Sequence, residues 1–152
     1  MGFISLLLIF GNNFSQLSFL RLLEKEFDLE YEIDVDKKLG ILISTSTGKW
    51  NIEDSDRVTQ ELINASIEHD IRKVLIDHSK VKINISRYLA LKRPSELKSQ
   101  FEDIFPRVAF VSPKRNHQIY QFFTLIAQNK GILFQSFKKK KDAIEWLLQG
   151  NE

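Results

Sequence analysis

Lys73-Val74-Leu75-Ile76-Asp77 is a short unbroken apolar run between charged ends. A strand with one wet face alternates apolar and polar residues, whereas a continuous run marks a strand covered on both faces, as in the middle of a parallel sheet. Working outward, Arg107-Val108-Ala109-Phe110-Val111 and Ile132-Leu133-Phe134 have the same character. Stretches at helical spacing separate them. Residues 85–105 carry Tyr88, Leu89, Leu91, Leu97, Phe101, Ile104 and Phe105, with Pro94 breaking the helix or opening its second half. The next helix opens at Ser112-Pro113, sets Ile119, Phe122, Phe123 and Ile126 on one side, and stops at Gly131. The last, from about Lys139 to Gln149, carries Ala143, Ile144, Trp146, Leu147 and Leu148.

Upstream, Tyr31, Ile33 and Val35 alternate with Glu32, Asp34 and Asp36. After Lys37-Lys38 the alternation resumes with Leu39, Ile41 and Ile43, which together predicts an antiparallel hairpin. Gly48 and Trp50 close it. Asn51 caps the following helix, with Glu53 and Asp54 in the first turn and Val58, Leu62 and Ala65 as its apolar stripe. The predicted order is ββαβαβαβα, an α/β fold with a mixed sheet and crossover helices.

Composition bounds the rest. A chain of 152 residues with 43% hydrophobic residues is large enough for one ordinary core. Its 22 basic and 20 acidic residues nearly cancel, so no global field favours nucleic acid, and no apolar run approaches the roughly 20 residues of a membrane span. Without cysteine, disulfides, thiolate metal sites and cysteine nucleophiles are excluded, and a cytoplasmic location is expected. The run FISLLLIF at residues 3–10 has no preceding Lys or Arg and no small-residue cleavage site, unlike a secretory signal. Leu17, Leu20, Leu23 and Phe27 then recur at helical spacing. Residues 1–28 are expected to be a helical extension to a domain at 29–150. Three readings fit it: a helix packed on the body or on a second copy in a homodimer, a membrane-surface anchor, or residues added by an upstream start.

In order and in several residues, the chain resembles the STAS-like superfamily of sulfate-transporter and anti-sigma-factor-antagonist domains, especially its small SpoIIAA-like bacterial members. The matching pieces are the hairpin opening at Tyr31, the runs at 73–77 and 107–111, and the closing Phe137 to Leu148, FKKKKDAIEWLL. The resemblance implies that fold and a regulatory, protein-binding role. In anti-sigma antagonists the strand matching 74–77 leads into an Asp-Ser-Ser-Gly loop whose serine is phosphorylated. Residues 77–87 here read DHSKVKINISR, so that motif is missing. Ser86 lies nearest the right place and is fully explained as a helix N-cap.

Catalytic constellations are few. Asp77-His78-Ser79 resembles a triad written consecutively, but neighbours in a strand point in opposite directions. His69, His78 and His117 stand without ligand-spaced partners and are expected on the surface or in loops, so no metal is called for. Asp77 followed by Lys138 suggests a receiver-type phosphoacceptor but lacks the acidic pair for magnesium. No phosphate-binding glycine loop is present, and no cofactor is expected. Ser112, Lys114 and Arg115 fit either a solvated helix cap or a weak anion site. Lys138 to Lys141 is a solvated turn or a contact for an acidic partner. The expectation is a non-enzymatic domain that docks a protein through residues 77–93, with Asp77, Ser79, Ile83, Ser86, Arg87, Tyr88 and Lys92 at the surface. The alternative is a carrier or sensor of a small hydrophobic ligand held between sheet and helices.

Overall fold

A computed structural model of the chain describes residues 28–149. Apart from Asp28, the expected extension, with its dimer or membrane role, lies outside the described residues. The elements are β1 (Leu29–Asp36), β2 (Ile41–Lys49), α1 (Ile52–His69), β3 (Lys73–Lys82), α2 (Arg87–Phe101), β4 (Arg107–Val111), a single 3₁₀ turn (Lys114–Asn116), α3 (His117–Asn129), β5 (Phe134–Phe137) and α4 (Lys140–Gln149). This is the predicted order. The five strands lie in the sheet in sequence order, β1 antiparallel to β2 and the rest parallel.

That order dictates the layers. The sheet grows in one direction from β2 to β5, so crossovers of one hand put all their helices on one side. Residues of α1, α2 and α3 accordingly share one core with Leu42, Val74, Ile76, Val108, Phe110 and Phe134. Only α4, which follows the last strand, is released to the other face, where Ala143 and Leu147 meet Ile41, Leu75, Ala109 and Val111. On β1 the residues between the core-facing ones are Glu30, Glu32 and Asp34, all exposed, so that strand buries one face as its alternation requires.

Local signals act as the residue types demand. Asn51 Oδ1 accepts from the Asp54 N–H at 2.8 Å, capping α1. The Asp54 carboxylate accepts from the Leu29 N–H, which fixes the start of β1 on that cap. Burial opposes ionisation of Asp54, but bonds from Asn51, Leu29 and Arg57 outweigh it and hold the carboxyl below its usual range. Gly48 pairs with Leu29 at positive φ, and a Cβ there would run into the Asp28 carbonyl, so only glycine fits.

Three expectations are corrected. The last strand is residues 134–137 at the sheet edge, not 132–134 inside it. Ile132 is buried just after the Gly131 turn, while Leu133 is 56% exposed, because an edge strand flanked by one neighbour need not be apolar throughout. Pro94 lies inside a continuous α2 and is itself buried there. Phe122, expected inside with Phe123, is 39% exposed: Tyr120, Phe123 and Ala127 form the buried stripe, and Phe122 falls outside its arc.

Candidate functional site

The site begins where β3 outruns β4. Their pairing ends at Asp77, yet β3 continues along β2 to Lys82, with a register shift that sets Asp77–Lys80 against Thr45–Thr47. The extra residue changes the parity of the strand. Ile76 and His78 face the three-helix core, and beyond the shift Val81 does as well. Asp77, by alternation, lies on the α4 side, and its carboxylate accepts from the Ser79 N–H at 2.9 Å. Asp77 is therefore separated by the sheet from the docking helix it was expected to join, and Ser79 is exposed at the bulge.

Under the projecting end of β3 is a cavity of about 60 Å³, framed by α1, α2, α3 and the 83–85 segment. By the same measure one water needs about 10–15 Å³. Its wall is mostly apolar, with Leu62, Ile76, Leu97, Phe101, Phe110 and Phe123 among the lining side chains. Five polar side chains interrupt it, Ser55, Thr59, His78, Arg93 and Tyr120. His78 Nδ1 and the Tyr120 hydroxyl are 2.7 Å apart. Burial pushes the imidazole down to about 4, outweighing the opposing charge of Asp77, and pushes the Tyr120 phenol up, so both are neutral. Arg93, buried in α2, reaches Asp56 at 2.7 Å, Ser55 Oγ at 3.1 Å and Glu96 at 3.1 Å, and so ties α2 to α1.

His78 was expected on the surface and is only 8% exposed. The signal was there: Val74, Ile76 and His78 continue one alternation, and the strand simply runs past Asp77. Tyr120 was equally legible as the stripe partner of Phe123 and Ala127. Arg93 could be paired from sequence only with Glu96 one turn on; its burial depends also on Asp56 and Ser55 of another helix.

Outside this cavity, an open groove runs between α2 and α3, lined by Ile85, Ser86, Arg87, Ala90, Ile119 and Phe122. Ile85 and Ile119 belong to both, forming the partition between groove and cavity. Ser86 Oγ accepts from the Leu89 N–H at 3.2 Å and caps α2. Arg87 is exposed on the groove, Tyr88 is 71% exposed, and Lys92 lies 3.6 Å from Glu96. Leu91 and Leu125, both exposed, follow Arg87 and Phe122 by four and three residues and extend the apolar rim along each helix. The expected residues Ser86, Arg87, Tyr88 and Lys92 thus share one helix end, whereas Ile83 lines the cavity and donates no side chain to the groove.

The expected anion site is not assembled. Ser112 is buried, its hydroxyl bonded to His117 Nδ1 and to the Phe137 carbonyl, so it faces no ligand. Lys114 and Arg115 are exposed in the 3₁₀ turn, and α3 starts only at His117 without a side-chain cap. Pro113 is extended and stands before the 3₁₀ turn rather than in the first turn of α3. Burial, and then nearby Lys138, hold the His117 imidazole below its usual value. Among the described residues no three His, Asp or Glu side chains gather as metal ligands, and no helix is long and apolar enough to cross a membrane.

Solved structures share this architecture. A protein of the DUF3478 family with a SpoIIAA-like fold from Shewanella loihica is 22% identical, covering 81% of this chain and 96% of its own, with a TM-score of 0.53. The anti-sigma factor antagonist SpoIIAA in its unphosphorylated form is 7% identical, covering 81% of this chain and all of its own, with a TM-score of 0.54. An anti-sigma factor antagonist from Mycobacterium paratuberculosis is 17% identical over 78% of this chain and 93% of its own, with a TM-score of 0.49. The chain has a SpoIIAA-like fold. No family model and no curated protein matches it by sequence.

Proposed function

We propose that this protein is a non-enzymatic regulatory domain of the cytoplasm that docks a protein partner through the α2–α3 groove. The observation that carries the reading is that groove: an apolar trough with exposed Tyr88, Leu91, Phe122 and Leu125 beside it, on the helix that starts at Ser86. Arg87, Lys92, Lys114 and Arg115 are exposed on the same helices and turn, which suits an apolar helix flanked by acidic residues. A fold shared with an anti-sigma factor antagonist supports a role of this kind.

The test compares two baits in cell extract under cross-linking, the natural chain and the Arg87→Glu/Lys92→Glu variant. The expected outcome is a partner retained by the first and lost by the second, with thermal midpoints within about 2 °C because both side chains are exposed. Identical captures would remove the groove from the proposal.

A second reading, carriage or sensing of a small hydrophobic molecule, is favoured by the cavity beneath the groove. Native mass spectrometry of freshly purified protein tests it: a persistent added mass is expected, and bare protein under the gentlest conditions counts against it.

A further inference from the structure

We propose that the cavity is a site for a small, uncharged, largely apolar molecule bearing one hydrogen-bonding group, which His78 receives. The proposal rests on the second reading above and specifies the chemistry of its ligand.

The apolar wall sets the first requirement. A space several times that of one water, lined by phenylalanine, leucine and isoleucine, gains nothing from water and favours an apolar occupant. His78 sets the second. A neutral imidazole offers one donor and one acceptor, and its Nδ1 is spent on Tyr120. If the Tyr120 hydroxyl donates to Nδ1, Nε2 carries the ring proton and is a donor. If Nδ1 donates instead, Nε2 is an acceptor. In either tautomer the second ring nitrogen has no partner among the described residues, although the side chain is more than nine-tenths buried and lines the cavity. That nitrogen is not among the sealed, unpartnered atoms of the core, so it keeps access to the cavity, and an occupant that covers it without bonding it leaves it unpaired at a cost.

Arg93 sets the third requirement, neutrality. Its charge is balanced by Asp56 and Glu96 through the two terminal nitrogens, while its buried Nε has no partner among the described residues; an anion entering beside it would face two carboxylates. A cation would find the neutral groups of Ser55, Thr59, His78 and Tyr120 and a cationic Arg93 among the polar lining, and no carboxylate. Phenols and small aromatic or branched alcohols meet all three conditions.

Three probes of one size separate the requirements: p-cresol, toluene and p-toluate, titrated into the full chain by calorimetry with thermal shift in parallel. The expected result is binding of p-cresol about tenfold tighter than toluene, the worth of one buried hydrogen bond, and none of p-toluate. In His78→Phe the preference for p-cresol over toluene should vanish while toluene still binds. Circular dichroism of that variant, and retained toluene binding itself, show that it is folded. Equal affinity of the natural chain for p-cresol and toluene, tight p-toluate binding, or a preference that survives in His78→Phe each overturns the assignment to His78 and leaves the cavity reading standing. Failure of all three probes with the natural chain overturns both.

Discussion

The two faces of the sheet are packed by opposite means. On the three-helix face the strands and helices contribute large rings: Phe101 meets Phe105 edge-on at 5.0 Å, Phe110 meets Phe123 at 5.6 Å and Phe134 at 5.4 Å, and Phe123 stacks on Phe134 at 6.0 Å. On the other face small residues let a single helix approach, Ala143 toward Ala109, with Trp146 spread over Arg107 at 4.0 Å from the ring and beside Phe137. Rings in favourable edge-to-face contact cannot also fill every corner, and the space left over among three helices collects as the cavity. The function proposed here therefore sits on the face where packing is rich in area and poor in completeness.

Substitutions that break this contrast should differ in size. The largest effect is expected for Phe101→Ala, a fully buried ring touching two others, at about 3–5 kcal/mol in urea unfolding. A loss near 1 kcal/mol would show that the aromatic cluster relaxes into the existing cavity.

Acid comes next. The unfolded chain takes up a proton at His78 below its ordinary value of 6.5, whereas the folded chain does so only near 4. The stability tied to neutral His78 is thus complete above pH 6.5 and drains away as pH falls toward 4, by about 3 kcal/mol. Unfolding free energies measured at pH 7 and 4.5 should show this acid loss in the natural chain, and much less of it in His78→Phe.

Enlarging side chains sharpens the comparison further. Ala109→Leu on the α4 face should cost about 1–3 kcal/mol, since the added atoms meet Ala143 and Leu147. Val58→Ile, which adds a methylene toward the cavity, should cost well under 1 kcal/mol or stabilise. Equal costs would mean the two faces are equally full. An effect of opposite sign concerns Ser44, whose buried hydroxyl on the three-helix side of β2 has no partner among the described residues. Ser44→Ala should raise stability by about 1 kcal/mol in thermal unfolding, with no change in binding at the groove.

Much of this was legible in particular residues. Asn51 and Ser86 announced their caps, Tyr31 to Ile43 their hairpin, and Val74 to Ile76 a strand covered on both faces, because each signal lies within a few bonds of its effect. The exposed first turns of α2 were legible too, through Ser86, Arg87, Tyr88 and Lys92. What failed depended on distant partners. Asp77 was assigned to the docking surface because its strand was ended too early. Phe122 was counted as core because four apolar residues in one helix span more arc than the sheet covers. Ser112 was read as a free cap when its hydroxyl is held by His117 and Phe137.

The sequence by itself determined which segments are strands or helices and in what order they follow, since period, caps and glycines act over a single turn or pleat. Only the tertiary structure decided that His78, Tyr120 and Arg93 line one cavity and that Ile85 and Ile119 divide it from a groove. These residues lie on separate elements, and what brings them together is the one-sided stacking of three crossover helices, a consequence of chain geometry that no local pattern encodes.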